Sequence, residues 1–349
     1  MKGSFLRSLL TAFDLREGLR GAFACTPMLL LGWALDAPGF AWAAIGAFWT
    51  TLAAVSGTAR QRLLAMVDFA AWSTACGAAA TWAADQGLAA GTLAVLAVAG
   101  GAGFVRGWKP HAYQGAILVA TACVVMMDRP AGAAGWHFIV PYALGCLFAA
   151  VVGAVAWWLA PPPPAAPPAE LPAPIAHYAL RLGPAAALAY LVVHAMGLHY
   201  GYWATMAVLL ILQPAAAGIL PRCLERAVGT IAGTVIAMGV GLVATTPLAI
   251  ALAVFPLFGL TMALRAHSYR VFVAFLTPAF ILVADFAAPA AGQLYALARL
   301  EDNLIGCVIA FLAALLLWPT SGPHGWAHEQ ARRRPRTQPQ AYRWPKGPR

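Results

Sequence analysis

Arg222 and Arg226 stand four residues apart, which on a helix sets two guanidinium groups on one face, a turn from each other. Such a pair gathers a small organic anion, and Glu225 beside it limits the field. Arg265 and Arg270, with His267, offer the same chemistry. Thr230 adds a hydroxyl that contacts a carboxylate if it faces a cavity, and Trp203 adds a ring for stacking. A plainer reading stands beside each. Cations mark the cytoplasmic ends of membrane spans and tryptophans their interfaces, whatever passes between.

The acids divide the same way. Asp68 lies six residues beyond Arg62, roughly 9 Å into its helix by the rise per residue. A lone aspartate near the centre of a span costs about 2.5–3.5 kcal/mol. It is therefore expected to face the bundle interior and pair with Arg60, Arg62 or Arg106, as a structural ion pair or as a proton carrier. Asp128 and Asp285 fall at the outer ends of two spans. Arg299, Glu301 and Asp302 form a charge cluster on the outer side, where Arg299 is expected to pair with a nearby acid at the surface or to serve a gate. His194, within a span, is expected to bond a backbone carbonyl or to carry a proton. Gly229 and Gly233, flanked by Thr230 and Thr234, make a Gly-x-x-x-Gly that lets two helix backbones approach closely.

No Gly-rich phosphate loop, His-x-x-x-His spacing or serine elbow is present. No enzyme, cofactor or metal site is expected, and no segment would house a nucleotide-driven pump. The six cysteines (Cys25, Cys76, Cys123, Cys146, Cys223, Cys307) are expected to be free buried thiols.

The elements that must carry these residues are apolar helices. Hydrophobic residues make up 62% of the 349 and charged ones 10%, against roughly 25% charged in a globular protein. A spanning helix needs about 20 mainly apolar residues. The apolar runs predict an all-α integral membrane protein of twelve spans: 20–37, 39–56, 63–84, 88–105, 112–127, 137–159, 182–198, 201–219, 227–245, 247–264, 271–287 and 296–318. Threaded through a membrane, they send every one of the 22 Lys and Arg residues except Arg129 and Arg299 to one side. That side is the cytoplasm, so both termini are expected there, in a bacterial inner membrane.

Residues 1–19 read as a cytoplasmic amphipathic helix, with Phe5, Leu9 and Phe13 at helical spacing. Arg7, Asp14, Arg16 and Glu17 break up the apolar run, so no cleavable signal is expected. Residues 160–176 hold a proline-rich cytoplasmic strap. It separates a first six-helix repeat, 20–159, from a second, 177–319. An even number of spans makes the repeats parallel. Internal matches support duplication: Arg20 to Trp42 spans the same interval as Arg181 to Trp203, Arg106 pairs with Arg265, Asp128 with Asp285, Gly135 with Gly292, and Gly145-Cys146 with Gly306-Cys307. The tail, 320–349, strews Arg332, Arg333, Arg334, Arg336, Arg343, Lys346 and Arg349 among Pro, Gln and Gly. It is expected to be disordered and to touch lipid, at about 1 kcal/mol per cation, rather than nucleic acid.

Gly201-Tyr202-Trp203-Ala204 leads through an apolar run to Gln213-Pro214, followed by Arg222, Arg226, Gly229-Thr230 and Gly233-Thr234. With Arg299-Leu300-Glu301-Asp302-Asn303 and Trp318-Pro319, this resembles the fusaric acid resistance (FUSC) family of bacterial inner-membrane proteins, over roughly residues 180–320. The resemblance implies relatives that export aromatic carboxylic acids and, more distantly, plant malate channels. Two features depart from it. Only the proline strap stands where long members carry a cytoplasmic domain, and Arg60-Gln61-Arg62 is followed by Leu-Leu-Ala-Met-Val-Asp in place of the Gly-Thr stretch. The expectation is a proton-coupled secondary transporter that exports small organic anions. The alternatives are a passive anion channel, or a non-transporting scaffold whose strap and tail recruit partners. A homo-oligomer or a periplasmic adaptor would be compatible partners.

Overall fold

A computed structural model describes residues 13–54, 57–108, 113–127, 135–162, 175–198, 200–212, 219–287 and 292–317. Within them all regular structure is helical. In chain order the helices are α1 (Leu15–Ala34), α2 (Phe40–Ala53), α3 (Ala59–Asp85), α4 (Leu88–Trp108), α5 (Tyr113–Met127), α6 (Trp136–Leu159), α7 (Ile175–Ala195), α8 (Tyr202–Ile211), α9 (Ile219–Gly241), α10 (Pro247–Ala263), α11 (Tyr269–Ala287) and α12 (Gly292–Leu317). Each apolar run yields one helix. Local chemistry starts several of them. The Asp14 carboxylate accepts from the Glu17 amide at 3.1 Å, Thr58 and Gln61 close a capping box, and the Thr246 hydroxyl caps α10 with Pro247 as its first residue. The amphipathic residues 1–12, most of the proline strap, Asp128 and the basic tail lie outside the described residues.

Six helices, α3, α4, α6, α7, α9 and α11, are long and apolar enough to cross a membrane; α2, α5, α8 and α10 are apolar but shorter. Their outer faces display Leu64, Trp72 and Trp82 on α3, Leu147, Val151 and Trp158 on α6, and Val235 and Met238 on α9. Continuous apolar faces of this kind belong against lipid, not water.

Two spans are much shorter than the sequence expectation. Runs 39–56 and 201–219 read as full crossings, but α2 stops at Ala53 and α8 at Ile211. At 14 and 10 residues they extend about 21 and 15 Å, short of the roughly 30 Å of a bilayer core. Gly57, at φ +101°, turns the chain after α2 in a conformation that side chains resist. After α8, Pro214 disfavours helix in the residue before it. Both short helices are nearly wholly buried. Backbone that unwinds at this depth needs partners from the protein. Arg20 Nη2 donates to the Thr51 carbonyl at 3.2 Å, Arg62 Nε to the Gly57 carbonyl at 3.1 Å, and the Tyr178 hydroxyl to the Leu212 carbonyl at 2.8 Å.

The remaining helices enclose these two. α6 lies on α2 and α12 on α8; α3 pairs with α5, and α9 with α11. Two main seams tie the first six helices to the last six, α1 against α10 and α4 against α7, with smaller contacts of α5 on α8 and α2 on α11. Both main seams are closed by glycine. A Cβ on Gly18 would stand 2.9 Å from the Gly259 carbonyl oxygen, and one on Gly103 2.6 Å from Ala179 Cα.

Candidate functional site

The inward stripe of α9 is Cys223, Arg226, Gly229, Thr230, Gly233, Thr234 and Ala237, which is helical spacing. α9 begins at Ile219 rather than near residue 227, so Arg222 and Arg226 lie within the helix and not ahead of it. The facing stripe of α12 carries Arg299, Asp302, Asn303 and Gly306, all turned inward, while Leu297, Glu301, Leu304 and Val308 face out. Across this contact Arg226 Nε donates to Asn303 Oδ1 at 2.9 Å, and Arg226 Nη1 donates to the hydroxyl of Tyr269, on α11, at 2.9 Å. Asn303 Nδ2 donates to the Arg299 carbonyl at 2.8 Å. The guanidinium of Arg222 sits 4.4 Å over the Tyr269 ring.

Arg299 is the unusual member. Its guanidinium lies 3.7 Å above the ring of Trp203, on α8, and 5.7 Å from that of Phe280, on α11. Arg226 and Arg299 are each only 1% exposed. Nε and Nη1 of Arg299 have no hydrogen-bond partner among the described residues, and neither do Oδ2 of Asp302 or the hydroxyls of Thr205, Thr230, Thr234 and Thr277. An unmatched buried guanidinium edge is expensive. The sequence put Arg299 and Asp302 on the outer surface, with Arg299 paired to an acid. The structure buries both, and no ion pair involving Arg299 occurs among the described residues. The difference is rotational: Glu301 takes the outward direction between them. Asn303 falls near the midpoint of α12, so the group sits at depth rather than at a face.

The other expected residues fall as follows. Gly229 and Gly233 seat α9 on α11, where an added Cβ would come 2.7 Å from the Arg270 carbonyl and 2.6 Å from Thr277 Cβ. Asp285 is half-buried near the end of α11. Asp68 is exposed on the outer face of α3, whose inward stripe runs Arg62, Met66, Phe69, Ala70 and Ser73 and leaves position 68 turned away. Arg270 is exposed. His194 Nδ1 lies 2.8 Å from the Tyr190 carbonyl, and its ring lies 4.1 Å from that of Tyr190. All six cysteines are free; Cys223 and Cys307 face each other, each sulfur 3.6–3.7 Å from the other's carbonyl oxygen.

Arg265 joins a second polar group that the sequence did not reveal. Glu17, on α1, accepts from Arg20 one turn on, and also meets Arg62 Nη1 at 3.4 Å and Arg265 Nη2 at 3.6 Å. Arg20 and Arg62 both approach the Trp157 ring, at 5.1 and 5.9 Å. Glu17 precedes the span predicted from residue 20. Burial raises its pKa, but Arg20, Arg265 and Arg62 more than offset this, so the carboxyl sits below its ordinary range and is ionised at neutral pH. The one local signal was the Glu17–Arg20 spacing; the rest depends on the α1–α10 seam.

Residues 188–313 match the family model described as fusaric acid resistance protein-like. That segment is similar to fusaric acid resistance proteins. It contains every side chain of the Arg226–Arg299 group. Of the Glu17 group, it contains only Arg265. Among curated proteins, the chain is 31% identical over 144 residues to the inner membrane protein YccS of Escherichia coli (strain K12), covering 41% of this chain and 20% of that protein. It is 32% identical over 156 residues to the uncharacterized protein YhfK of the same organism, covering 43% and 21%. The chain thus spans about a fifth of the length of these relatives. No solved structure matches it. The fusaric acid resistance protein-like segment, the inner-membrane relative and the lipid-suited helices together make this a membrane protein.

Proposed function

We propose that this protein is an inner-membrane secondary transporter of small organic anions, and that the Arg226–Arg299 group binds the substrate. One observation carries the reading. Arg299 is buried and stacked on Trp203, with two guanidinium nitrogens unpartnered, beside a second buried arginine already held by neutral Asn303 and Tyr269. Neutral partners leave the positive charge for a ligand, and aromatic walls of Trp203, Phe280 and Tyr269 suit the flat body of an aromatic carboxylate. Thr230 and Arg222 border the same group. Asp302, buried with an unpartnered oxygen, is the carboxyl that carries the proton, and Asp285 lies further along the route. Both arginines are closed off, so transport requires a motion that opens the group.

The helix packing supports two six-helix repeats. The α2–α6 contact recurs as α8–α12, α3–α5 as α9–α11, and α4–α7 as α10–α1. Trp42 and Phe138 are in contact at 5.2 Å; 161 residues further along each, Trp203 meets Arg299. The charge sorting puts both termini in the cytoplasm. Fusions at residue 165 and at the carboxyl end should fluoresce with a green fluorescent reporter and stay inactive with alkaline phosphatase; active phosphatase at residue 165 would reverse the threading.

The function is tested with purified protein in liposomes. Labelled 4-hydroxybenzoate should enter faster than into protein-free vesicles, and faster again when a proton gradient points outward. No uptake above the protein-free rate would sink the reading. Uptake indifferent to the gradient would make the protein a passive anion pathway.

A further inference from the structure

We infer that Glu17, Arg20, Arg62 and Arg265 form a second anion site, separate from the Arg226–Arg299 group, that takes a dianionic phosphomonoester. The argument begins with charge. Three guanidiniums surround one carboxylate, and every member is at least partly buried: Glu17 is 8% exposed, Arg20 4% and Arg62 7%, and the Arg265 side chain 19%. A clasp that only joined α1 to its neighbours would need one arginine for one glutamate. Two positive charges remain over, offset only at longer range by the exposed Asp14 acting on Arg265, and burying charge without a close counterion costs several kcal/mol per ion.

The donors point the same way. Glu17 and the Thr51 carbonyl occupy Nη2 of Arg20, but its Nε and Nη1 have no partner, and neither does Nη1 of Arg265. These free donors come from two side chains on different elements, α1 and the connection between α10 and α11. A phosphomonoester supplies three terminal oxygens in a tetrahedral array and close to two negative charges at neutral pH. A monocarboxylate would leave one charge uncompensated. Trp157 backs Arg20 and Arg62, which holds their guanidinium planes and closes one side. Arg265, the least buried of the three arginines, stands at the end of the bundle where α1, α3 and α11 begin, so a ligand reaches the buried donors as its side chain moves aside. Because the donors sit on both sides of the α1–α10 seam, the ligand would tie the two halves together.

A soluble phosphate ester and the headgroup of phosphatidic acid share this chemistry, and the experiment separates them. The delipidated full-length protein is melted in detergent with inorganic phosphate or with chloride at matched ionic strength, and again in phosphatidylcholine nanodiscs with and without phosphatidic acid. Phosphate should raise the melting temperature saturably, and Arg265→Gln, which leaves the Glu17–Arg20 and Glu17–Arg62 pairs in place, should shift the midpoint to about tenfold higher phosphate or beyond. Stabilisation by phosphatidic acid alone, again lost in the variant, supports the same site with a headgroup as its occupant. Equilibrium binding of labelled orthophosphate to the wild-type protein, expected near one per chain, reads the site without any variant. The inference is overturned if neither phosphate nor phosphatidic acid stabilises or binds the wild-type protein, or if Arg265→Gln responds as wild type does. Arg299→Met, which alters only the transport group, should keep the phosphate response.

Discussion

Arg299→Met is expected to raise the stability of the solubilised protein by about 1–4 kcal/mol while abolishing organic-anion uptake. Two effects oppose each other. Removing the guanidinium forfeits its contact with Trp203, about 2 kcal/mol for a desolvated cation on an indole. Methionine returns part of this, about 0.3–1.5 kcal/mol, through its sulfur against the same ring. Removing the guanidinium also ends the penalty of holding a charge, two of whose nitrogens lack partners, at 1% exposure, and that penalty is several kcal/mol. Relief of desolvation wins. Under the proposed repeat, Trp42 meeting Phe138 is the corresponding contact, and there an apolar residue suffices for folding. Arg299→Lys separates charge from shape: it keeps the cation, loses the planar stack, and should retain stability near wild type with uptake reduced about tenfold. Thermal melts and liposome uptake on the same preparations decide it. A loss of stability in Arg299→Met, with uptake retained, would make Arg299 a structural residue and remove the transport site from this part of the molecule.

Hydropathy alone located all twelve helices, because lipid demands continuous apolar runs whatever the fold. It failed where burial by protein replaces burial by lipid. The residues after Ala53 and Ile211 are still largely apolar, so hydropathy does not register that the helix ends; Gly57 and Pro214 are the local cues, and Arg20 and Tyr178 satisfy the carbonyls left at Thr51 and Leu212. Charge counting erred for a related reason. It treats a cation near a span end as a surface group, which suits Arg270 but not Arg299, whose direction is set by the outward period of Leu297, Leu304 and Val308. Asp68 failed in reverse: an isolated acid was assigned to the interior on cost alone, while the stripe through Arg62, Met66, Phe69 and Ser73 turns it outward. The Arg222–Arg226 spacing fixed a shared helix and face, but not that the helix begins at Ile219 and carries Arg226 to the middle of α12. Glu17 and Arg265 meet only because α1 packs on α10, a long-range contact no local pattern encodes.

Gly145→Ala should be the most damaging glycine-to-alanine change among the described residues, costing about 3 kcal/mol or more. Gly145 lies on α6 and seats it against the buried helix α2. An added Cβ would stand 1.9 Å from the Ala43 carbonyl oxygen and 2.7 Å from Ala43 Cα. The obstruction is backbone, so no rotamer change relieves it and the two helices must separate. Gly306 stands between α12 and α8, where a Cβ would meet the Ala204 oxygen at 2.5 Å and Ala207 Cβ at 2.7 Å. Gly306→Ala should cost about 1–3 kcal/mol. It should also depress uptake, because Asn303 and Arg299 ride on the same helix; Gly145→Ala has no such direct route to the transport group. Gly101 and Gly239 provide the comparison, since a Cβ at either meets nothing within 4 Å. Alanine there should be neutral or stabilise by about 0.5–1 kcal/mol through helix propensity. Folded yield by fluorescence-detected size exclusion, followed by melting of what survives, ranks the four variants. Gly145→Ala melting with Gly101→Ala would mean that α6 does not sit on α2 through this glycine, and the enclosed position of the short helices would fall with it.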